Sequence, residues 1–450
     1  MAKIFPFSAW RYDPRRVRLA DVLTQPYDKI TPAMRQRYLS ASPWNFIRVE
    51  RPDSQPGDSP AENAYTRAAA ALDEWTREGV LIRDSQPSIY PYSQTYAPPG
   101  ASRKKTRLGF ICLGQLEDYS TGVVFRHERT LPGPRADRLE LLRRTFAQTG
   151  LLFLLYQDPE RAIDRLVEQA ARHEPLAEVT DEFGVIHRLW ALADPAAIDS
   201  LARLLEPKRL LIADGHHRYE TALAYRDECR RAAFPAAQPS SPCPGAPYER
   251  AMMALFNTDA EGLTILPTHR VVSGLEEFIF PGFRRRLEPQ FDWYAYPFVD
   301  TAERETALAE FRRDLERQGR ARHAIGAYAG DGAFYLFLLK SEAELDHRLR
   351  DLLPAERRLD VVLLYRLVLE QGLGITPEQV AGEKRVGYER EIEAAVAAVD
   401  SGRGQLALLV NPPRIEQVAE VAFAGRVLPE KSTDFYPKLL SGLTLYRLKP

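Results

Sequence analysis

Short apolar runs and stretches with helical spacing of apolar residues follow one another along the chain without a regular order. Uninterrupted apolar runs predict buried strands, whereas apolar residues three or four positions apart predict helices that bury one face. The predicted strands are 151–156, 209–213, 251–257, 334–340 and 405–410, and the predicted helices are 159–172, 219–233, 301–317, 386–400 and 415–424. Because strands and helices neither alternate strictly nor segregate, we predict an α+β or mixed α/β fold.

Polar, turn-rich segments interrupt this pattern at three places: 51–60, 97–105 and 235–247. The last contains five prolines, which cannot continue a helix or a central strand. The chain has 450 residues, and at roughly 150 residues per domain this length predicts about three domains. From changes in the pattern we place an N-terminal α/β domain at 1–160, a central core at 161–275 and a C-terminal α/β domain at 276–450.

The charge balance narrows the class of partner. Lys and Arg together number 61, against 62 for Asp and Glu, so the net charge is −1. Proteins whose main task is to grip nucleic-acid phosphates usually carry a basic excess. Nucleic acid is therefore disfavoured, and a small anion is the more natural partner.

The cysteines and the length of the apolar runs predict the cellular compartment of the protein. Cys112, Cys229 and Cys243 are odd in number and form no CxxC pair, which is typical of a reducing compartment. The longest apolar runs are far shorter than the roughly 20 residues that a membrane span needs, and residues 1–10 hold no run that suits a secretion signal. We therefore predict a cytoplasmic protein without a membrane partner.

The segment RLLIADGHHRYETALAYRDE (209–228) has the clearest chemical signature. A short apolar strand runs into Asp214 and Gly215, and a helix is predicted to follow. Gly215 allows a sharp turn and a close approach of a ligand to the backbone, while the first helical turn offers unpaired N–H groups and the positive end of the helix dipole. Three further donors stand at the same place: His216, His217 and Arg218. Together these features predict a phosphate site.

Asp214 stands at the edge of this positive cluster, where its carboxylate could hold Mg²⁺ or accept a proton. Two other interpretations of the turn are open. The histidines could simply cap the helix in a structural turn. They could also ligate zinc, although adjacent histidines rarely point at one metal, and no Cys or HExxH spacing completes a set of ligands.

The stretch ADGHHRYETAL (213–223) resembles the signature of the ParB/sulfiredoxin-like superfamily, whose members hold nucleotide phosphates on such a strand–turn–helix. It is also similar to the Asp-Gly-His turn of archaeal free serine kinases in that superfamily, whereas the catalytic cysteine of sulfiredoxins is missing from this turn. Nearly the whole chain further resembles the domain-of-unknown-function family 1015. The matching stretches, besides 213–223, are QPYDKIT (25–31), PWNFIRVERP (43–52), HERTLPGPRADRLELLRRT (127–145), ILPTHRVV (265–272) and LPEKSTDFYPKLLSGL (428–443).

This resemblance implies a ParB/serine-kinase-like phosphate-binding core within the predicted middle domain. It implies a phosphotransferase, which we predict to be a free L-serine kinase that forms O-phospho-L-serine with Mg²⁺ as its cofactor. We expect pyrophosphate or ADP as the donor ahead of ATP, because no glycine-rich nucleotide loop stands elsewhere in the sequence. Arg135 departs from the family pattern, which has Lys at this position.

Residues outside the turn are candidates for the rest of the site. Asp28 and Glu128 are alternatives to Asp214 as the base, although each could equally be a turn residue or part of a surface ion pair. Four residues offer cations or hydroxyls to phosphate oxygens: Arg138, Lys431, Ser432 and Thr433. The residues predicted for the acceptor substrate are His127, His269 and Arg270.

In the predicted reaction, the turn cradles the donor phosphates while a carboxylate accepts the proton of the acceptor hydroxyl. Phosphoryl transfer asks mainly for positioning and charge neutralisation, which a cationic turn supplies. One alternative is a ParB-like nucleotide-dependent DNA-binding or regulatory protein, which the net charge and the lack of a clear recognition helix disfavour. Another is a phosphatase, because it needs the same anion cradle. The sequence leaves the oligomeric state open.

Overall fold

The computed structural model describes residues 1–130, 132–233, 245–343, 345, 349–381 and 385–449. The chain forms two compact units. The first unit comprises Met1–Arg126, Thr130–Thr264 and Tyr436–Pro450, and the second comprises His127–Arg129 and Ile265–Phe435. The three domains predicted from the sequence, 1–160, 161–275 and 276–450, stay a prediction.

The strands, in chain order, are β1 Ile4–Phe5, β2 Trp10–Tyr12, β3 Leu81–Arg83, β4 Tyr90–Tyr96, β5 Lys105–Gln115, β6 Val124–Phe125, β7 Ala147–Gln148, β8 Leu152–Tyr156, β9 Ala177–Thr180, β10 Ile186–Leu189, β11 Leu210–Asp214, β12 Arg250–Asn257, β13 Thr264–Leu266, β14 His269–Val272, β15 Phe291–Pro297, β16 Ala324–Tyr328, β17 Ala333–Leu339, β18 Val386–Glu389, β19 Leu406–Val410, β20 Asp434–Tyr436 and β21 Tyr446–Arg447.

The α-helices are α1 Leu19–Val22, α2 Pro32–Ala41, α3 Ile47–Glu50, α4 Ala64–Arg77, α5 Pro132–Thr145, α6 Ala162–Ala170, α7 Pro195–Leu205, α8 His216–Ala233, α9 Phe280–Leu287, α10 Thr301–Gly319, α11 Pro354–Arg357, α12 Asp360–Leu363, α13 Pro377–Ala381, α14 Ile392–Asp400 and α15 Ile415–Phe423. A π-helix follows α12 at Leu364–Gly372, and short 3₁₀ turns lie at Tyr27–Lys29, Tyr119–Thr121 and Pro247–Glu249. Among the described residues, no helix combines the length and the apolarity that crossing a bilayer requires.

The first unit is built on a mixed sheet in the order β6-β11-β8-β12-β5-β4-β10-β9, with β1 paired to β5. The pairs β11–β6 and β12–β8 are parallel, whereas β11–β8 and β12–β5 are antiparallel. All five residues of β8 are buried, as expected of a strand between two neighbours whose side chains pack on both faces. In the hydrophobic core of the first unit, apolar residues of β5, β8, β11 and β12 pack against those of α6, α7 and α8.

The second unit contains an antiparallel sheet in the order β15-β17-β16-β19-β14-β18. Helix α10 buries Ala307, Phe311 and Leu315, which are four positions apart and therefore lie on one face. This face packs against Phe334 of β17 and Leu409 of β19 in the core of the unit. Each unit thus has a hydrophobic core of its own.

The mixed α/β fold predicted from the sequence is confirmed. Each of the five predicted strands lies within one residue of an observed strand, and the predicted helices 159–172, 219–233, 301–317 and 415–424 are also observed. The prediction of one helix over 386–400 is wrong in its first part. Residues Val386–Glu389 form β18 because they pair with β14, where Tyr388 stands opposite Arg270. Most of the proline-rich segment 235–247 lies outside the described residues.

Candidate active site

The predicted strand–turn–helix is present in the first unit. Strand β11 ends at Asp214, and α8 begins at His216, so Gly215 alone makes the turn. Gly215 has a φ of +93°, which L side chains rarely adopt, and a Cβ there would lie 3.2 Å from the Leu152 side chain. The turn therefore requires glycine, and it leaves the first N–H groups of α8 facing away from the helix body.

Asp214 is surrounded by positive charge. Its Oδ2 lies 3.5 Å from Nζ of Lys438, and its side chain is 25% exposed. Burial opposes ionisation of the carboxyl group, but Lys438, Arg218, Lys29 and His216, in that order, outweigh burial and hold the pKa of Asp214 well below its usual range. Asp214 is therefore ionised at every pH near neutrality, and its basicity is low.

Arg218, on the first turn of α8, is a cation with negative charges around it. Burial disfavours its charged form, but the carboxylates of Asp214, Glu50 and Asp28 together raise its pKa above the usual value. Its guanidinium lies 5.9 Å from the ring centroid of Tyr27, a cation–π distance. The cation is thus balanced by several carboxylates of the same unit.

The guanidinium of Arg218 also retains donor capacity. One Nη1–H donates to the carbonyl oxygen of Leu151, whereas Nε has no hydrogen-bond partner. A Cβ on Gly150 would lie 2.8 Å from this Nη1, so the absence of a side chain at Gly150 makes room for the arginine. A buried donor without a partner is costly, so an acceptor is expected at this place.

A cavity of about 50 Å³ opens beside Arg218, lined among others by Glu50, Arg138, Thr149 and Gly150. The volume is several times the roughly 10–15 Å³ that one water needs. The cavity therefore has room for a few waters or for one compact oxyanion group, and it has arginines on its wall.

Arg138, predicted to bind phosphate, lies in this cavity wall and is buried. Its Nε and Nη2 donate to Oδ2 of Asp137 at 2.8 and 2.6 Å, and its Nη1 donates to the carbonyl oxygen of Glu50 at 2.7 Å. Its Cζ lies 4.4 Å from the ring centroid of Tyr27. Tyr27 is thus within cation–π distance of both Arg138 and Arg218, which places these two cations side by side.

Glu50 is a member of the site that the sequence did not single out. It is 1% exposed, and its carboxylate accepts hydrogen bonds from the hydroxyls of Thr149 (3.0 Å) and Ser441 (2.9 Å) and from the N–H of Tyr27 (3.3 Å). Glu50 stands inside PWNFIRVERP, one of the stretches that carry the family resemblance. This location was the one sequence feature that could have pointed to Glu50, because the local pattern of residues does not show that its carboxylate is buried.

The other predicted residues of the first unit lie around the turn. Asp28 is exposed on the 3₁₀ turn Tyr27–Lys29, and it is near enough to Arg218 to raise the pKa of that guanidinium. His216 is buried in the first turn of α8, and His217 is partly exposed beside it. Within the described part of the chain, no group of three or more His, Cys, Asp or Glu side chains could hold a metal ion, so the zinc interpretation gains no support.

The remaining predicted residues belong to the second unit. They are His127, Glu128, His269, Arg270, Lys431, Ser432 and Thr433. Nε2 of His127 lies 2.7 Å from the Thr433 hydroxyl, and Nη2 of Arg270 donates to the Lys431 carbonyl oxygen at 3.1 Å. The Ser432 hydroxyl donates to a backbone carbonyl at 2.5 Å. Two pairs of these residues are therefore linked by hydrogen bonds, His127 with Thr433 and Arg270 with Lys431.

His269 is buried at the start of β14, and its Nδ1 accepts a hydrogen bond from the N–H of Val410 at 3.2 Å. Burial, together with the charges of Arg270 and Arg312, lowers its pKa to about 3. The imidazole is therefore neutral at physiological pH.

Several solved structures are similar to this chain at low sequence identity. A conserved hypothetical protein from Pyrococcus furiosus is 14% identical, with 72% of this chain and 92% of that chain covered and a TM-score of 0.33. A free serine kinase in complex with AMP is 13% identical, with 70% and 83% covered and a TM-score of 0.34. SbnI with a C-terminal truncation, from Staphylococcus aureus, is 9% identical, with 73% and 85% covered and a TM-score of 0.33. At TM-scores this low, we draw nothing about function from these similarities.

No curated protein matches the chain. The model of the family described as "Protein of unknown function (DUF1015)" matches residues 4–362, which is most of the sequence. This match agrees with the family resemblance of the stretches around Asp28, Arg138 and Asp214. The chain therefore belongs to the DUF1015 family.

Proposed function

We propose that the first unit carries a phosphoryl-transfer site at the turn from β11 to α8. One observation supports this most strongly: the Arg218 guanidinium keeps an unpartnered Nε–H beside a cavity, at the N-terminus of an 18-residue helix. Helix N-termini and guanidinium groups both bind phosphate oxygens in proteins. Both meet here within one turn of chain.

The donor's phosphates would be held by the N–H groups of the first turn of α8 and by Arg218, with His216, His217 and Arg138 beside them. Gly215 supports this role because its positive φ makes the turn that starts α8 directly after Asp214. The carboxylates of Asp214, Glu50 and Asp28 balance the arginine charge when no phosphate is bound. Such a balance favours release of a charged product after each turnover.

Asp28 is the best candidate for the base that accepts the proton of the acceptor hydroxyl. Asp214 is a poor base, because the surrounding cations depress its pKa. Asp28 is exposed, and it is near enough to Arg218 to raise the pKa of that guanidinium. In the proposed step, a bond forms between the acceptor oxygen and phosphorus, the bond to the leaving phosphate breaks, and the hydroxyl proton passes to the Asp28 carboxylate.

The residues present also fit a magnesium ion as cofactor. Mg²⁺ usually keeps several waters and binds through one or two carboxylates together with substrate phosphates, so it needs no cage of protein ligands. The partly exposed carboxylate of Asp214 would hold it. When bound, the ion would neutralise part of the charge on the donor phosphates.

For the acceptor we propose a small hydroxyl compound, by family resemblance free L-serine, and for the donor pyrophosphate or ADP. The small cavity beside Arg218 supports a short phosphate donor. The predicted acceptor residues His127, His269 and Arg270 and the predicted phosphate residues Lys431, Ser432 and Thr433 belong to the second unit. Their roles in the reaction stay predictions.

A donor-by-acceptor screen by phosphorus NMR tests the proposal. The purified protein with Mg²⁺ is given pyrophosphate, ADP or ATP, each with serine, threonine, homoserine or inositol. We expect O-phosphoserine with pyrophosphate or ADP, together with orthophosphate or AMP as the second product. Formation of orthophosphate in the absence of any acceptor would favour the phosphatase alternative.

The same preparation should show no sequence-specific binding of duplex DNA. If no phosphorylated product forms with any donor, and the protein instead binds duplex DNA tightly and in a salt-sensitive way, the kinase proposal is wrong. The ParB-like regulatory alternative would then take its place.

A further inference from the structure

The second unit contains a cavity of about 390 Å³. Six of its lining residues matter here: Thr268, Arg270, Arg322, His323, Asp360 and Arg414. Its volume lies in the range of roughly 300–1,000 Å³ that is typical of small-molecule sites. All of its lining residues belong to the second unit, and none of them is part of the turn after β11.

The wall of this cavity carries an excess of positive charge. Five arginines line it, against three carboxylates: Arg270, Arg320, Arg322, Arg358 and Arg414, against Glu316, Glu342 and Asp360. Three of these arginines also have carboxylate partners. Arg320 pairs with Glu316 and Arg358 with Glu420, and Nη1 of Arg322 lies 3.9 Å from Oδ2 of Asp292. Arginines still outnumber carboxylates along the wall, and this excess of positive charge favours an anion as the occupant of the cavity.

Arg270 is the central observation. It is 1% exposed, and its guanidinium lies 5.4 Å and 5.6 Å from the ring centroids of Tyr365 and Tyr388. It donates from Nη1 to the Thr268 carbonyl oxygen and from Nη2 to that of Lys431, while its Nε has no partner. Within the described residues, no carboxylate forms an ion pair with Arg270.

Two neighbouring titratable groups do not supply the missing negative charge. His269 is neutral, and Asp360 is paired with His323, whose Nδ1 lies 2.6 Å from its Oδ1. A buried guanidinium without a counter-ion is strongly unfavourable. Among the described residues, the buried positive charge at this cavity is therefore not neutralised by an ion pair, and an anion bound in the cavity would supply the missing charge.

We propose that this cavity binds a small anion through its phosphate or carboxylate group, with Arg270 as the buried counter-charge and Arg322 and Arg414 on the more open part of the wall. A guanidinium matches the geometry of both anionic groups, because its planar N–H fork can bind two oxygens at once. Thr268, Asn411 and Ser432 add polar side chains to the same wall. The proposal does not rest on phosphoryl transfer in the first unit.

Isothermal titration calorimetry on the full chain tests this site. Because the first unit is also proposed to bind phosphate, the titrations use an Arg218→Gln background, which removes that cation. Orthophosphate is titrated in one arm and malonate in the other. We expect one bound anion per chain. Whichever of orthophosphate and malonate binds more tightly identifies the anionic group that the cavity prefers.

Three further variants in this background localise the binding. Arg270→Gln should weaken it about tenfold or more, and Arg414→Gln, at an exposed position, should weaken it several-fold. Arg313→Gln is the matched control, because Arg313 is exposed on α10 and does not line the cavity. It should bind as the background does.

Two outcomes would overturn the proposal. One is the absence of any binding up to about 10 mM of either anion, which means a dissociation constant weaker than about 10 mM. The other is equal binding by the Arg414→Gln and Arg313→Gln proteins. If Arg270→Gln does not fold, the Arg414→Gln result decides. A protein that binds the anion here but transfers no phosphoryl group would refute the proposed function and leave this site intact.

Discussion

Arg218 in the first unit and Arg270 in the second have similar surroundings in most respects. Both lie near tyrosine rings, both donate to backbone carbonyl oxygens, both line a cavity, and both have an Nε–H without a partner. They differ in counter-charge. Neither arginine forms an ion pair within the described residues, but the carboxylates of Asp214, Glu50 and Asp28 surround Arg218 closely enough to raise its pKa.

This difference separates two ways of using a cation beside a cavity. A cation that is already balanced by carboxylates can accept a phosphate and release it again, because the empty site is not left with an uncompensated charge. A cation without such a balance gains more from an anion that stays bound. The first arrangement suits turnover, and the second suits binding. The predictions below test this contrast, beginning with the largest expected effect.

Asp28→Asn should reduce the rate of O-phosphoserine formation by about 10²–10⁴-fold, the usual contribution of a general base. Asp28 is exposed, so the thermal midpoint of unfolding should not change. Steady-state kinetics and a melting curve on the same preparation measure both. Glu128→Gln is the matched comparison, because it removes the competing candidate base of the second unit. Loss of rate in Glu128→Gln with full rate in Asp28→Asn would exchange their roles.

The second unit should lose stability on mild acidification because of His269. The pKa of this buried imidazole is lowered from 6.5 to about 3 in the folded chain. Its contribution is therefore fully present above pH 6.5 and is lost as the pH falls from there towards 3, by on the order of a few kcal/mol in all. Urea denaturation between about pH 7 and about pH 4 measures this slope.

His269→Asn keeps an acceptor for the Val410 N–H but removes the titrating ring, so the slope over this range should flatten. An unchanged slope in this variant would show that other groups cause the acid sensitivity. Arg270 adjoins His269, so an anion bound in the cavity should also reduce this loss of stability on acidification. The effect of the anion on stability is thus a second measurement of the difference between the two arginines.

Arg218→Gln should raise the Michaelis constant for the phosphoryl donor, or lower kcat/KM, by the equivalent of about 1.5–3 kcal/mol, the usual value of a hydrogen bond to a charged group. The matched control is Arg231→Gln, which removes a charge from the exposed C-terminal end of the same helix. The two variants should separate clearly in donor kinetics. Equal behaviour would mean that the donor phosphates bind elsewhere.

Lys431→Ala should have the smallest effect. Its side chain is exposed, and an exposed charge contributes at most about 1 kcal/mol to such an interaction. We expect donor affinity to fall by no more than about fivefold, with acceptor affinity unchanged, as measured by the two Michaelis constants. A rise confined to the Michaelis constant for serine would reassign Lys431 from the donor to the acceptor.

Much of the local structure could be predicted from the sequence. The apolar runs of β8 and β11 and the spacing of apolar residues in α10 depend on near neighbours, and they are observed as predicted. The same holds for the turn at Gly215, because a strand, a glycine and a helix start within a few residues leave the backbone little choice. The segment 386–400 shows the limit of this reasoning, because pairing with β14 overrides the helical spacing of its first residues.

Only some of the residues that form the candidate site could be predicted from the sequence. The sequence by itself determined the cationic turn from Asp214 to Arg218 and pointed to Asp28 and Arg138. Only the tertiary structure added Glu50, whose carboxylate meets Ser441 across 391 positions of chain. It also decided that Arg218 has carboxylates around it and that Arg270 forms no ion pair within the described residues. The physical reason is that charge compensation depends on distances in space, and residues far apart in sequence supply the compensating groups.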